Sequence, residues 1–258
     1  MSEILAVVNQ KGGVGKTTTC INLSAALAKT QRKILLIDLD PQSNATRGCG
    51  YDPHNITNSI NDLLLGRASS AETIIYVDDA NFSLLPATPD LTESEVMLIN
   101  SELKEYTLKT TLNSLETEFD YIIIDCPPSL NILTVNALCS ASGVLIPVQC
   151  EFFALQGLSE LMNTIDTIKS NSNKQLEIKG IIRTMYDPRN NLATDVSMQL
   201  LKFFDDKVYR TIIPRNITLA EAPSHGMPVI NYDRTSKGAL SYLSLVGEII
   251  KQERYYSC

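Results

Sequence analysis

Residues Ile4 to Val8 form an unbroken apolar run, and Asn9-Gln10-Lys11-Gly12-Gly13-Val14-Gly15-Lys16-Thr17-Thr18-Thr19 follows it directly. A helical pattern leaves this stretch at Lys16. A buried strand, a glycine-rich turn and a helix N-terminus in that order make a cradle for phosphate groups. The glycines let backbone N–H groups converge on an anion, and the helix dipole favours its charge. Gly12, Gly13, Val14, Gly15, Lys16, Thr17 and Thr18 are the expected cradle residues. Lys16 is placed to reach the β- and γ-phosphates, and the Thr17 hydroxyl to coordinate Mg²⁺. ATP or GTP is therefore the expected ligand. The common form of such a loop, G-x-x-x-x-G-K-[ST], has glycine where this chain has Gln10, and a second lysine, Lys11, stands beside it.

The other 240 or so residues are those of an ordinary globule: 44% hydrophobic in a chain of 258 residues, enough for one large α/β unit with a full core. No stretch approaches the length of a membrane span, and the chain enters its first strand without a leader pattern. The six cysteines show no C-x-x-C pair, so reduced thiols in a cytoplasmic protein are expected rather than a disulfide framework. A net charge of −7 argues against a coat of basic charge but not against a local basic patch.

Further along, Lys33–Leu39 is a second apolar run of the kind found in parallel strands covered on both faces. It leads into Asp38-Leu39-Asp40-Pro41, which places two carboxylates at a strand's carboxyl end, where open α/β sheets hold ligands. Both are expected to serve Mg²⁺ or the attacking water, and Asp38 is counted among the candidate Mg²⁺ ligands. Tyr121-Ile122-Ile123-Ile124-Asp125 is a third buried strand ending in a carboxylate, the pattern that supports Mg²⁺ opposite a phosphate loop. Pro127-Pro128 stiffens the turn after it. Cys126 reads as a packing residue. Strands are expected at 82–87, 143–148, 177–184 and 208–213, and helices at 16–29, 59–65, 71–77, 91–99, 103–118, from about 157 to 168, 191–204 and 236–252. The alternation implies a single α/β domain spanning 1–258, with a mostly parallel twisted sheet and helices on both faces.

With Lys11, Asp40, Asp125 and the carboxyl half in view, the sequence resembles the ParA/Soj partition ATPases, a deviant-Walker group of P-loop proteins that also contains MinD. The resemblance runs almost end to end. It includes Lys11–Thr19, Asp38–Asn44, Ile122–Ser129, Pro147–Gly157 and the segment Ile213-Pro214-Arg215-Asn216 with Leu219-Ala220-Glu221-Ala222-Pro223-Ser224-His225-Gly226. It implies an ATP-dependent homodimer in which Lys11 reaches the partner's phosphates, catalysis by Lys11, Lys16 and Asp40, and Mg²⁺ held by Thr17, Asp38 and Asp125. It implies that Pro214, Arg215 and Asn216 contact the adenine side. It also implies non-specific DNA binding, with Arg189, Arg234 and Lys237 as candidate contacts, a ParB/Spo0J-type partner that stimulates hydrolysis, and a nucleoid-associated cytoplasmic location. The sequence departs from many relatives at Thr218, where they carry a basic residue.

Three other readings use the same loop. A MinD-like ATPase that cycles on membranes needs a terminal amphipathic helix, and the segment from Leu245 to Cys258 is short and charge-balanced. An iron–sulfur ATPase needs paired cysteines at a dimer axis, and Cys126, Cys139 and Cys150 lack that setting. A nucleotide-binding scaffold without turnover has no need to retain Lys11, Lys16, Thr17, Asp40 and Asp125 together.

Overall fold

A computed structural model describes residues 2–102 and 104–256 of the chain. Its centre is one eight-stranded sheet: β1 (Glu3–Val7), β2 (Ile34–Asp38), β3 (Ile75–Val77), β4 (Phe82–Leu85), β5 (Tyr121–Asp125), β6 (Gly143–Gln149), β7 (Glu177–Tyr186) and β8 (Val208–Pro214). They lie in the order β3-β4-β2-β5-β1-β6-β7-β8. Every neighbouring pair is parallel except β3 with β4. This is the expected α/β architecture.

The two-residue period of the strands explains how one sheet carries two cores. Ile4, Ala6, Leu35, Ile37, Ile122 and Ile124 pack with the helices Leu91–Ile99, Thr107–Leu112, Ile132–Ser140, Ala154–Asn171 and Asn191–Phe204. Leu5, Val7, Ile34, Leu36, Tyr121 and Ile123 pack on the other face with Lys16–Ala28, Val229–Tyr232 and Lys237–Tyr256. Both faces are covered, so the central strands read as continuous apolar runs rather than as alternation. No helix among the described residues is long and apolar enough to cross a membrane.

Two expected elements differ. The helix expected over 71–77 is a four-residue helix, Ser70–Thr73, followed by β3. Ser69 and Glu72 form a capping box that starts the turn. Ile75-Tyr76-Val77, β-branched and aromatic, then favours strand and pairs antiparallel along the sheet's edge. The helix expected over 103–118 is confined to Thr107–Leu112, and Leu103 lies outside the described residues, as do Ser257 and Cys258. The structure also holds helices that the pattern does not predict, the short Asn44–Gly48, Ile217–Glu221 and Val229–Tyr232 and the longer Ile132–Ser140. The last is largely buried and shows no helical stripe, yet Asn131 caps it by accepting from the Thr134 N–H at 3.1 Å.

Candidate functional site: a phosphate cradle at the carboxyl edge of the sheet

β1 is flanked by β5 and β6, so the loop that leaves its carboxyl end opens at the middle of the sheet. Gly13 (φ +74) and Gly15 (φ +89) occupy left-handed backbone that other residues adopt only with strain, which lets the loop curl back on itself. Gly15 is the N-cap of Lys16–Ala28, no side chain caps that helix, and its first turn holds no acid. Its leading N–H groups and dipole are thus left for an anion. The loop is tied down at both ends: the Asn9 amide donates to Pro147 O at 2.7 Å, and Thr184 Oγ1 donates to Val14 O at 2.8 Å. Thr184 carried no sequence signal; only the strand topology brings β7 to the loop.

A cavity of about 470 Å³ opens over the cradle, lined by Gly12, Gly13, Gly15, Lys16, Thr17, Thr18, Asp40, Asn44, Arg47, Pro128 and others. Lys16 is buried, and its amino group donates to Lys11 O at 3.3 Å. Burial lowers its pKa, an effect that Asp125 partly offsets. Lys11 is half exposed, and its ammonium pairs with Glu151 of the same chain. A second cavity, of about 210 Å³, adjoins the first through Gly15 and Thr18. It brings Pro214, Arg215 and Asn216 together with Thr184, Met185, Leu219 and Tyr242. The Asn216 Oδ1 atom there is buried and accepts no hydrogen bond among the described residues.

The two strand-end aspartates are register partners, Asp38 on β2 beside Asp125 on β5, both fully buried. Burial, and then the charge of Asp38, push the Asp125 carboxyl well above the usual range, while Thr17 and Cys20 pull the other way. The Cys20 thiol donates to Asp125 Oδ1 at 3.4 Å, and Asp125 Oδ2 has no donor among the described residues. Such an acceptor beside a P-loop threonine is what a hydrated cation would satisfy, since Mg²⁺ keeps several waters and takes one or two carboxylates plus phosphate oxygens. The donor set therefore fits Mg²⁺ at Thr17 and Asp125. Cys20 and Cys126 are buried too, and burial raises both thiols, in keeping with packing roles.

Asp38 is engaged differently. Its Oδ2 accepts from the Thr46 N–H at 2.8 Å and the Thr46 hydroxyl at 2.7 Å, and its Oδ1 from the Asp40 N–H at 3.3 Å. The Thr46 oxygen in turn accepts from the Ala87 N–H at 3.0 Å. Neither Asp38 nor Asp125 lines the cavity, but both Asp38 oxygens already accept hydrogen bonds, and these contacts set the loop that carries Asp40. Replacing Thr46 by valine removes a donor from a buried carboxylate and an acceptor from a buried N–H. Groups left so cost about 1–3 kcal/mol each. We expect Thr46→Val to lose roughly 3 kcal/mol in urea unfolding and Thr46→Ser to lose under half of that.

The three candidate DNA contacts are all exposed but sit on separate elements. Arg189 follows β7, its side chain 88% exposed and paired with Asp187 at 2.7 Å. Arg234 and Lys237 flank the start of Lys237–Tyr256.

A glycine cradle at the carboxyl edge of a parallel sheet, with a buried lysine, a threonine and Asp40 around one cavity and two buried strand-end aspartates, defines a P-loop ATPase fold. A family model described as an AAA domain matches residues 2–178. Chromosome partitioning protein ParA of Myxococcus xanthus is 48% identical over 98% of this chain and 89% of its own length. Sporulation initiation inhibitor protein Soj of Bacillus subtilis is 47% identical over 96% of this chain and 98% of its own. Among solved structures, cobyrinic acid a,c-diamide synthase from Mycobacterium smegmatis with bound ADP and magnesium superposes with a TM-score of 0.86 at 36% identity, covering 98% of this chain and 96% of that one. The chain belongs to the ParA/Soj family of partition ATPases.

Proposed function

We propose that this chain binds MgATP in the cavity over Gly12–Thr18, pairs with a second copy across two such sites, and hydrolyses ATP to drive DNA segregation. The base would lie in the smaller cavity, where the unpaired Asn216 oxygen suits an exocyclic amino group. Lys16 and the helix N-terminus would hold the β- and γ-phosphates, and Asp40 would orient or deprotonate the attacking water. Mg²⁺, held by Thr17 and Asp125, would neutralise charge between the phosphates. Asp38, expected among its ligands, acts on this reading through the loop that carries Asp40.

The observation that carries the two-subunit part is Lys11. It lies at the mouth of its own site with its ammonium on Glu151 rather than in the cavity. An exposed ion pair of this kind contributes at most about 1 kcal/mol, so it is readily given up for a partner's phosphates. A cation arriving from the second subunit stabilises transition-state charge as an arginine finger does. Turnover by the isolated protein is accordingly slow. The dimer would bind DNA without sequence preference through residues such as Arg189, Arg234 and Lys237, and a ParB/Spo0J-type protein would stimulate hydrolysis and release it. The working location is then the cytoplasm, on the nucleoid, with no part played by membrane.

Gel shift of non-specific DNA with ATP, ADP or no nucleotide tests this reading. We expect a shift with ATP alone that disappears as salt is raised, because phosphate contacts release counterions. Equal shifts in all three conditions, or none in any, would refute it.

A further inference from the structure

Asn44–Gly48 is a five-residue helix that follows Asp40 at once, and it is set against the phosphate cradle by two independent contacts. At its centre Thr46 is fixed to Asp38 by both its N–H and its hydroxyl. At its end Gly48 lies so close to Lys16–Ala28 that a Cβ there would come within 2.5 Å of Ile21 Cδ1. Between these anchors stands Arg47. It is exposed, it lines the same cavity as Lys16, Thr17 and Asp40, and its guanidinium has no ion-pair or hydrogen-bond partner among the described residues.

The charge balance of the site asks for such a group. Asp40 lines the cavity with one buried cation, Lys16, and the buried pair Asp38 and Asp125 adds two more carboxyl groups at this end of the sheet. Lys11 adds nothing within its own subunit, because Glu151 neutralises it. A nucleoside triphosphate with one divalent ion still brings net negative charge. A cation in cis at the Asp40 end is what the arrangement lacks, and arginine's planar fork matches two phosphate oxygens at once.

We propose that Arg47 binds the terminal phosphate of a nucleoside triphosphate held in its own subunit. The assignment to the terminal phosphate follows from position. Arg47 rides on the segment that carries Asp40 and takes no part in the second cavity, where Pro214, Arg215 and Asn216 gather. The inference rests on the reading that this cavity takes ATP. Because the side chain is exposed and unpaired, its removal leaves the fold intact.

The test compares affinities for ATPγS and ADP, both with Mg²⁺, in wild type, Arg47→Ala and Arg47→Lys, at protein concentrations where light scattering shows monomers with either nucleotide. Arg47→Ala is expected to lower the preference for the triphosphate about tenfold with ADP affinity unchanged, and Arg47→Lys to recover part of it. An unchanged preference, or an equal loss for both nucleotides, overturns the proposal. Absence of saturable binding by the wild type would instead bring down the nucleotide reading itself, so the two failures are told apart.

Discussion

The Lys16→Ala protein is expected to melt within a few degrees of the wild type without nucleotide and to gain almost nothing from MgATP. The two halves of this result have different causes. In the free protein Lys16 is 7% exposed, and burial of its ammonium is the main influence on its pKa, lowering it. Among the described residues its ammonium makes one hydrogen bond, to Lys11 O at 3.3 Å. A cation so desolvated and so sparsely bonded contributes little to the fold. With nucleotide the account reverses. Removing one partner of a buried charge pair costs about 3–5 kcal/mol, which weakens ATP binding by a factor on the order of 100 or more. Wild type at a hundred times its dissociation constant gains about 2.7 kcal/mol, a melting shift of roughly 5–10 °C for a domain of this size. In Lys16→Ala the same nucleotide concentration should shift the melting point by less than about 2 °C. Scanning fluorimetry with and without MgATP decides it. A full nucleotide shift in the variant would take Lys16 out of the phosphate site, and a collapse of the free protein would make it a structural residue.

What could be read in advance follows from which physics is local. The cradle was legible because a strand, positive-φ glycines and a helix start must be consecutive to work. Asp38 and Asp125 were legible because parallel strands bury both faces and so end abruptly in their first polar residue, and Asp40 because it stands two residues past the first of them. The edge was harder. Ile75-Tyr76-Val77 becomes strand only because β4 offers it a partner, and Ile132–Ser140 hides its helical stripe by being buried all round. The loop-anchoring contacts of Asp38 have the same origin. Spacing puts it on one side of the strand end with Asp40, but the donor that claims it, Thr46, arrives by a loop geometry that no periodicity reports. Thr184 and Arg47 were silent for that reason too, since each matters only through what the sheet brings beside it.

The Asp40→Ala protein should bind MgATP at least as tightly as the wild type, form the dimer, and hydrolyse about 10²–10⁴ times more slowly. The geometry permits so clean a separation. Asp40 is 6% exposed and lines the phosphate cavity, with Oδ1 accepting from the Gln42 N–H at 3.0 Å. The contact that holds its backbone, the Asp40 N–H to Asp38 Oδ1, involves no side-chain atom of Asp40. The Asp38–Thr46 anchor is likewise untouched, so truncation leaves the loop's buried anchors in place and removes a carboxylate with its bond from the Gln42 N–H. That carboxylate is unfavourable to a bound polyanion, and in the proposed function it serves only the attacking water. Its loss therefore favours ATP and penalises turnover, which locks the dimer in the nucleotide-bound state. Asp40→Asn refines the assignment: the amide oxygen can still accept from Gln42, but the side chain no longer takes a proton. Slow turnover in both variants marks a general base, and recovery in the amide alone marks a residue that orients water. Single-turnover hydrolysis beside light scattering reads rate and dimer together, and wild-type turnover in Asp40→Ala would remove Asp40 from the chemistry.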